Sequence, residues 1–175
     1  MHRYPDTTHT NLISALRRYH GDYSFVTGVG MDGVIETCIR VLINPGDQVA
    51  ISTPTFSFYG LAAAAQGGDV THIPRNPDFS VDIPSFIASA RKAKISFLCT
   101  PNNPSGTVTP VSDIEEILKN IDGILFLDNA YVEFSPVDYR DLMNRYDNLI
   151  IGRTMSKVFG LAGCRVGYAF VPDWF

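Results

Sequence analysis

The chain has 175 residues, 45% of them hydrophobic and 18% charged, with a formal net charge of -4. That balance excludes a disordered chain and supplies enough apolar residues for one sizeable core. With no basic stripe, it also argues against nucleic acid as the main partner.

Short apolar runs alternate with segments of helical period. The first run, Tyr23–Thr27, enters Gly28-Val-Gly-Met-Asp-Gly33 and then a helix. A glycine-bearing turn at a helix N-terminus presents free N–H groups to a phosphate, and it is equally the form of an ordinary tight turn. Along the helix Val34, Cys38, Val41 and Leu42 are expected on one face, and Asn44-Pro45-Gly46 stops it. Val49–Ser52 and Val70–Ile73 follow, separated by an Ala62–Ala65 run that reads as helix packing rather than a membrane element. Ile95–Cys99 leads into Thr100-Pro-Asn-Asn-Pro-Ser-Gly106, a loop that either holds the amides of Asn102 and Asn103 in place or merely turns the chain.

Ser112-x-x-Glu115 has the form of a capping box, ahead of Ile114, Ile117, Leu118 and Ile121 at helical spacing. Ile124–Leu127 delivers Asp128, followed by Asn129-Ala-Tyr131. A carboxylate closing an apolar strand needs a cationic partner unless it caps a helix or turn. Leu149–Ile151 leads into Arg153-Thr154-Met-Ser156-Lys157, then Val-Phe-Gly-Leu-Ala-Gly163, Cys164 and Arg165. Two hydroxyls, a lysine and two arginines there suit a phosphate and one reactive amine, or form a solvated basic loop. Val166–Val171 is the seventh run. Continuous apolar strands between helices imply a doubly wound α/β sheet that binds ligands beyond its carboxyl strand ends.

The stretches Pro101–Gly106, Asp128-Asn-Ala-Tyr-Val-Glu-Phe134 and Arg153–Tyr168 resemble the signature of fold-type I, class II pyridoxal-phosphate-dependent aminotransferases. Arg3-Tyr-Pro-Asp6 and Gly160-Leu-Ala-Gly163 resemble the histidinol-phosphate aminotransferase branch in particular. The resemblance implies the three-layer, mainly parallel seven-stranded large domain of the aspartate aminotransferase-like fold. It implies pyridoxal 5'-phosphate as cofactor, Lys157 as its covalent anchor and as the base, and Asp128 as partner of the pyridine nitrogen. Asn103 and Tyr131 would bond the phenolic oxygen. Thr154, Ser156, Arg165 and the backbone of Met31 and Asp32 would hold the phosphate. Phe56 would stack on the ring or fill the core, and Tyr4 would reach the cofactor of a neighbouring subunit in a homodimer.

The activity implied is transfer of the amino group of histidinol phosphate to 2-oxoglutarate. Alternatives are an aromatic aminotransferase, a threonine-phosphate-decarboxylase-like lyase, or a non-catalytic sensor domain of a regulator. Departures from the usual pattern are Asn129 for glutamate, Gly33 for an acidic residue, Phe56 for tyrosine and Cys164 for leucine. Relative to that family the chain is expected to start late and stop early. It would lack the small domain and the arginine that grips the substrate carboxylate, leave its last strand uncovered, and transaminate negligibly alone. Cys38, Cys99 and Cys164 show no ligand spacing and read as reduced, mostly buried thiols of a cytoplasmic protein. His9, His20 and His72 read as surface or structural, and His2 is left open beside Arg3. No apolar run approaches the ~20 residues that span a bilayer, and the first residues do not form a secretory signal.

Overall fold

The computed structural model describes residues 4–175, so His2 and Arg3 lie outside the described residues. In chain order the elements are α1 (Thr10–His20), β1 (Ser24–Val29), α2 (Gly30–Leu42), β2 (Gln48–Thr53), α3 (Phe58–Ala65) and β3 (Asp69–Pro74). They continue with α4 (Ile83–Ala90), β4 (Ile95–Cys99), α5 (Val111–Asn120), β5 (Ile124–Asp128), β6 (Leu149–Thr154) and β7 (Val166–Val171). The strands form one seven-stranded sheet in the order β1-β7-β6-β5-β4-β2-β3. Only the pairings of β7 with β1 and with β6 are antiparallel, so a single reversed strand sits in an otherwise parallel sheet. All seven apolar runs are strands, within a few residues of the expected ends.

Two cores flank the sheet. One joins Leu16 of α1, Phe86 of α4 and Ile114, Ile117 and Leu118 of α5 to Leu98, Leu125, Leu127, Leu149 and Ile151. The other joins α2 and α3 to Ile95, Phe97, Ile124, Phe126, Ile150 and Ala169. Successive strand residues point to opposite faces, and that alternation decides which end-of-strand residues meet. Asp128 and Cys99 continue the rows of Phe126 and Phe97, toward α2 and α3. Thr154 continues the row of Ile150 on the same side, whereas Arg153 falls on the side of Ile151.

Three local expectations are corrected. Val41 is 61% exposed; the buried stripe of α2 is Met31, Val34, Ile35, Cys38 and Ile39. The capping box does not form, because Pro110 occupies the N-cap and Ser112 lies inside α5, bonding Asp113. Glu115 pairs instead with Lys119 at 3.8 Å and with Arg145. The last strand is not left uncovered: Tyr168, Ala169 and Phe170 are fully buried, Ala169 within the core that α2 shares, and Tyr168 and Phe170 against His20. The exposed large apolar residues include Phe134, Val158 and Leu161 on the loops after β5 and β6.

His20 is a satisfied structural histidine, 2.8 Å from the Tyr168 hydroxyl. Burial and the nearby Arg153 and Arg140 charges lower its pKa to about 4. Cys38 and Cys99 are buried and Cys164 is exposed, so the thiols are mostly buried, as expected. Among the described residues no helix is long and apolar enough to cross a membrane, and no His/Cys/Asp/Glu group is placed to hold a metal.

The two faces of α2 can be told apart by unfolding in urea. Ile39→Ala, at a residue only 1% exposed, should cost about 2–5 kcal/mol. Val41→Ala should stay within about 0.5 kcal/mol.

Candidate active site

The parallel strands β2, β4, β5 and β6 end on one edge of the sheet, and a cavity of about 250 Å³ opens there. Its floor is Asp128. Met31, Asp32, Phe56, Asn103, Tyr131, Thr154, Ser156, Lys157 and Arg165 all line it, together with Cys99, Ala130 and Ala162. Tyr4 does not: it is 99% exposed, outside the cavity.

Asp128 is buried, and what meets its carboxylate is not a cation in direct contact. The Tyr59 hydroxyl donates to Oδ2 at 2.5 Å, and the Ala130 N–H donates to Oδ1 at 2.9 Å. Burial raises the carboxyl pKa, with the Tyr59 and Ala130 hydrogen bonds and the Lys157 charge opposing that rise. Burial also pushes the Tyr59 phenol well above its usual range, with the Asp128 charge adding to it. The Cys99 thiol is pushed up to about 12, again mainly by burial. The Lys157 amine lies 5.0 Å from the centre of the Tyr131 ring.

A second corner of the cavity is built for an anion. α2 begins at Gly30, so the N–H groups of its first turn, Met31 and Asp32 among them, have no partner within the helix. Arg165, held at φ +50°, accepts from the Gly30 N–H at 2.8 Å through its carbonyl. Its guanidinium reaches back over the helix start, 3.5 Å from Asp32 Oδ2. A Cβ on Gly30 would stand 2.5 Å from that guanidinium, and one on Gly167 would stand 2.3 Å from the Gly30 backbone. Gly167 needs glycine because that contact is with backbone, and Gly30 because its φ of +69° lies in the left-handed region. The Thr154 hydroxyl donates to Ser156 Oγ at 3.1 Å and accepts the Ser156 N–H at 3.2 Å, which places two hydroxyls on the cavity wall. Free amides, two hydroxyls and a guanidinium match a phosphate group, and the floor carboxylate opposite suits a protonated ring nitrogen. The residues present thus fit pyridoxal 5'-phosphate.

Two polar residues named with this site point elsewhere. Arg153 lies on the opposite face of β6, paired with Glu133 at 3.0 Å, so the loop contributes one arginine to the cavity rather than two. Asn102 is buried, donating to the Pro54 carbonyl at 3.2 Å and to Ser105 Oγ at 2.9 Å; only Asn103 faces the cavity. Asn129, the departure from glutamate, is fully buried and ties the end of β5 to the Thr100 carbonyl at 2.7 Å. Sequence reading missed Tyr59. The signal available for it was the unmet need of a buried Asp128 for a donor.

The family model described as aminotransferase class I and II matches residues 1–175. The chain is 63% identical over 174 residues to a histidinol-phosphate aminotransferase of Methanoculleus marisnigri, covering 99% of this chain and 49% of that protein. It is 61% identical to the protein of the same name from Methanosphaerula palustris, covering 99% and 50%. It also matches the crystal structure of histidinol-phosphate aminotransferase from Sinorhizobium meliloti in complex with pyridoxal-5'-phosphate. That likeness has a TM-score of 0.86 and 28% identity, over 97% of this chain and 48% of the other. The chain spans about half the length of the curated relatives it matches.

Ionised Asp128 is a load on the cofactor-free fold, with a definite sign. Its folded pKa lies above the unfolded value, so the cost is absent in acid and complete once pH exceeds the folded pKa. Cofactor-free Asp128→Asn should therefore melt higher than wild type at neutral pH, by ~2–4 °C for each kcal/mol relieved. The gain should vanish as pH falls into the ordinary carboxylate range. Differential scanning calorimetry across pH reads this directly, and a gain that grew in acid would contradict the assignment.

Proposed function

The chain belongs to the class I and II aminotransferase family, and from that premise we propose that the whole protein transfers the amino group of histidinol phosphate to 2-oxoglutarate. The products would be imidazole-acetol phosphate and glutamate, a step of histidine biosynthesis. The observation that carries this reading is the meeting, in one cavity, of a lysine amine, a buried carboxylate and an anion cradle at a helix N-terminus. The substrate rests on the 63% and 61% identical relatives and their name.

Pyridoxal 5'-phosphate, when bound, supplies an aldehyde that condenses with amines and a pyridinium ring that draws off the electron pair left by deprotonation. Lys157 Nζ would hold it covalently and, as a free amine, would serve as the base for the proton on the amine-bearing carbon. Asp128 stays anionic and holds a proton on the ring nitrogen, which offsets the cost of its burial. Asn103 and Tyr131, which line the cavity, would hydrogen-bond the phenolic oxygen, and Phe56 would cover a ring face and exclude water. Thr154, Ser156, Arg165 and the amides of Met31 and Asp32 hold the phosphate. Arg165 would thereby be committed to the phosphate and would not be free to grip the carboxylate of glutamate.

Residues 1–175 thus act as the cofactor-binding large domain. The exposed Tyr4 would reach the cofactor phosphate of a second subunit, in a homodimer.

Borohydride treatment of the loaded full-length protein followed by peptide mapping should place the pyridoxyl label on Lys157. A label on Lys92, Lys94 or Lys119 would refute the anchor. For the substrate, kcat/KM should be highest for histidinol phosphate when it competes with phenylalanine and threonine phosphate. Release of carbon dioxide, or a preference for either rival, would overturn the assignment.

A further inference from the structure

Tyr59 has no part in the chemistry described above, yet it makes the shortest polar contact in the cavity floor. It sits in the first turn of α3, fully buried, with its hydroxyl 2.5 Å from Asp128 Oδ2. Its ring cannot swing away. It stacks on Phe97 at 4.9 Å and an interplanar angle of 8°, and meets Phe56 edge-on at 5.6 Å. Phe56 and Tyr59 lie three residues apart, so one short segment supplies both the cavity wall and a clamp on its floor.

We infer that Tyr59 is a positioning residue for Asp128: its phenol locks the carboxylate in one rotamer and in the ionised form, leaving a lone pair aimed into the cavity. The inference rests on the proposed cofactor, whose ring nitrogen that lone pair would receive. A carboxylate offers about four lone-pair sites; Tyr59 takes one on Oδ2 and the Ala130 N–H takes one on Oδ1. The shared proton stays on the phenol, because burial and the Asp128 charge both oppose its ionisation.

Besides Tyr59, the charged or titratable groups that bear on the carboxylate among the described residues include Cys99, Lys157 and Asp32. Cys99 from β4 is a neutral thiol, pushed up to about 12. Lys157 favours the carboxylate and Asp32 of α2 disfavours it. Among the groups that oppose the effect of burial, the Tyr59 hydrogen bond is the largest. Without it, two features would be lost together: the fixed direction of the lone pair and the charge that keeps a proton on the ring.

The test compares the full-length wild type with Tyr59→Phe, which removes one oxygen and keeps the stacked ring. In the cofactor-free proteins, 13C NMR of the Asp128 carboxyl should show its titration moving up by about one pH unit or more in the variant, the scale of a hydrogen bond to a charged group. Proton NMR of cofactor-free wild type should show a strongly downfield hydroxyl resonance that is absent in Tyr59→Phe and returns to the ordinary range in Asp128→Asn. With pyridoxal 5'-phosphate loaded, kcat should fall ~10-fold or more, the equivalent of one pH unit, while KM for the amine changes less than about 3-fold.

If Tyr59→Phe does not fold, the wild-type resonance and its response to Asp128→Asn decide the matter. A wild type without that resonance, or a Tyr59→Phe protein with an unmoved carboxyl titration and wild-type kcat, overturns the inference. A wild type whose spectrum does not change on adding pyridoxal 5'-phosphate overturns the functional reading and the ring-nitrogen role together. Normal binding and turnover beside an unaffected Tyr59→Phe overturns this inference alone.

Discussion

Taking a carboxylate out of water costs several kcal/mol unless other groups replace its hydration, and Asp128 ends an all-buried strand between two layers of helices. The surroundings of β5 answer that cost in parts. A phenol from α3 and a backbone N–H from the turn after β5 supply two hydrogen bonds, and a lysine from the loop after β6 supplies a distant charge. None of the three is a direct ionic partner. The site is left short of one cation, which the proposed cofactor's ring nitrogen would provide. Affinity for a protonated heterocycle is in that sense built into the incomplete solvation of one side chain.

The sheet's geometry explains why these groups meet. Because side chains alternate along a strand, Cys99, Asp128 and Thr154 share the face of α2 and α3, while Arg153, adjacent to Thr154 in sequence, belongs to the other core and its pair with Glu133. The antiparallel β7 then brings Gly167 so close to the Gly30 backbone that Gly167 has no room for a side chain, while Gly30 itself sits at φ +69°. That contact sets the start of α2 beside the loop that carries Lys157 and Arg165. The anion corner is thus fixed by two glycines on different elements rather than by the charged residues themselves.

Most of the fold was legible because its strands are short, mainly apolar runs such as Ile95–Cys99 and Val166–Val171, whose length and bounding turns favour strand over buried helix. Faces and caps were harder. Val41 carries the right residue type, but α2 packs on a stripe one step away, and only the tertiary contact chooses between neighbouring stripes. Ser112 and Glu115 have capping-box spacing, yet Pro110 starts the helix early and Glu115 finds Lys119 and Arg145. At the site, motif residues such as Asp128, Asn103 and Lys157 stood at strand ends and could be named in advance, and they line one cavity. Tyr59 could not, because its position in an apolar helix gives no local sign of a partner 69 residues away. The same holds for Arg153, whose direction follows from strand pleat rather than composition.

α2 has two duties that cannot be separated. Its first turn faces the cavity, and the same helix sends Val34, Ile35, Cys38 and Ile39 into the core between it and the sheet. Anything held at its N-terminus therefore holds the core as well. By mass action a ligand at a hundredfold excess over its Kd adds about 2.7 kcal/mol to folding, a substantial share of the about 5–15 kcal/mol by which domains are stable. Protein abundance in a cell would then follow coenzyme supply, with unliganded copies the first to be lost to proteolysis.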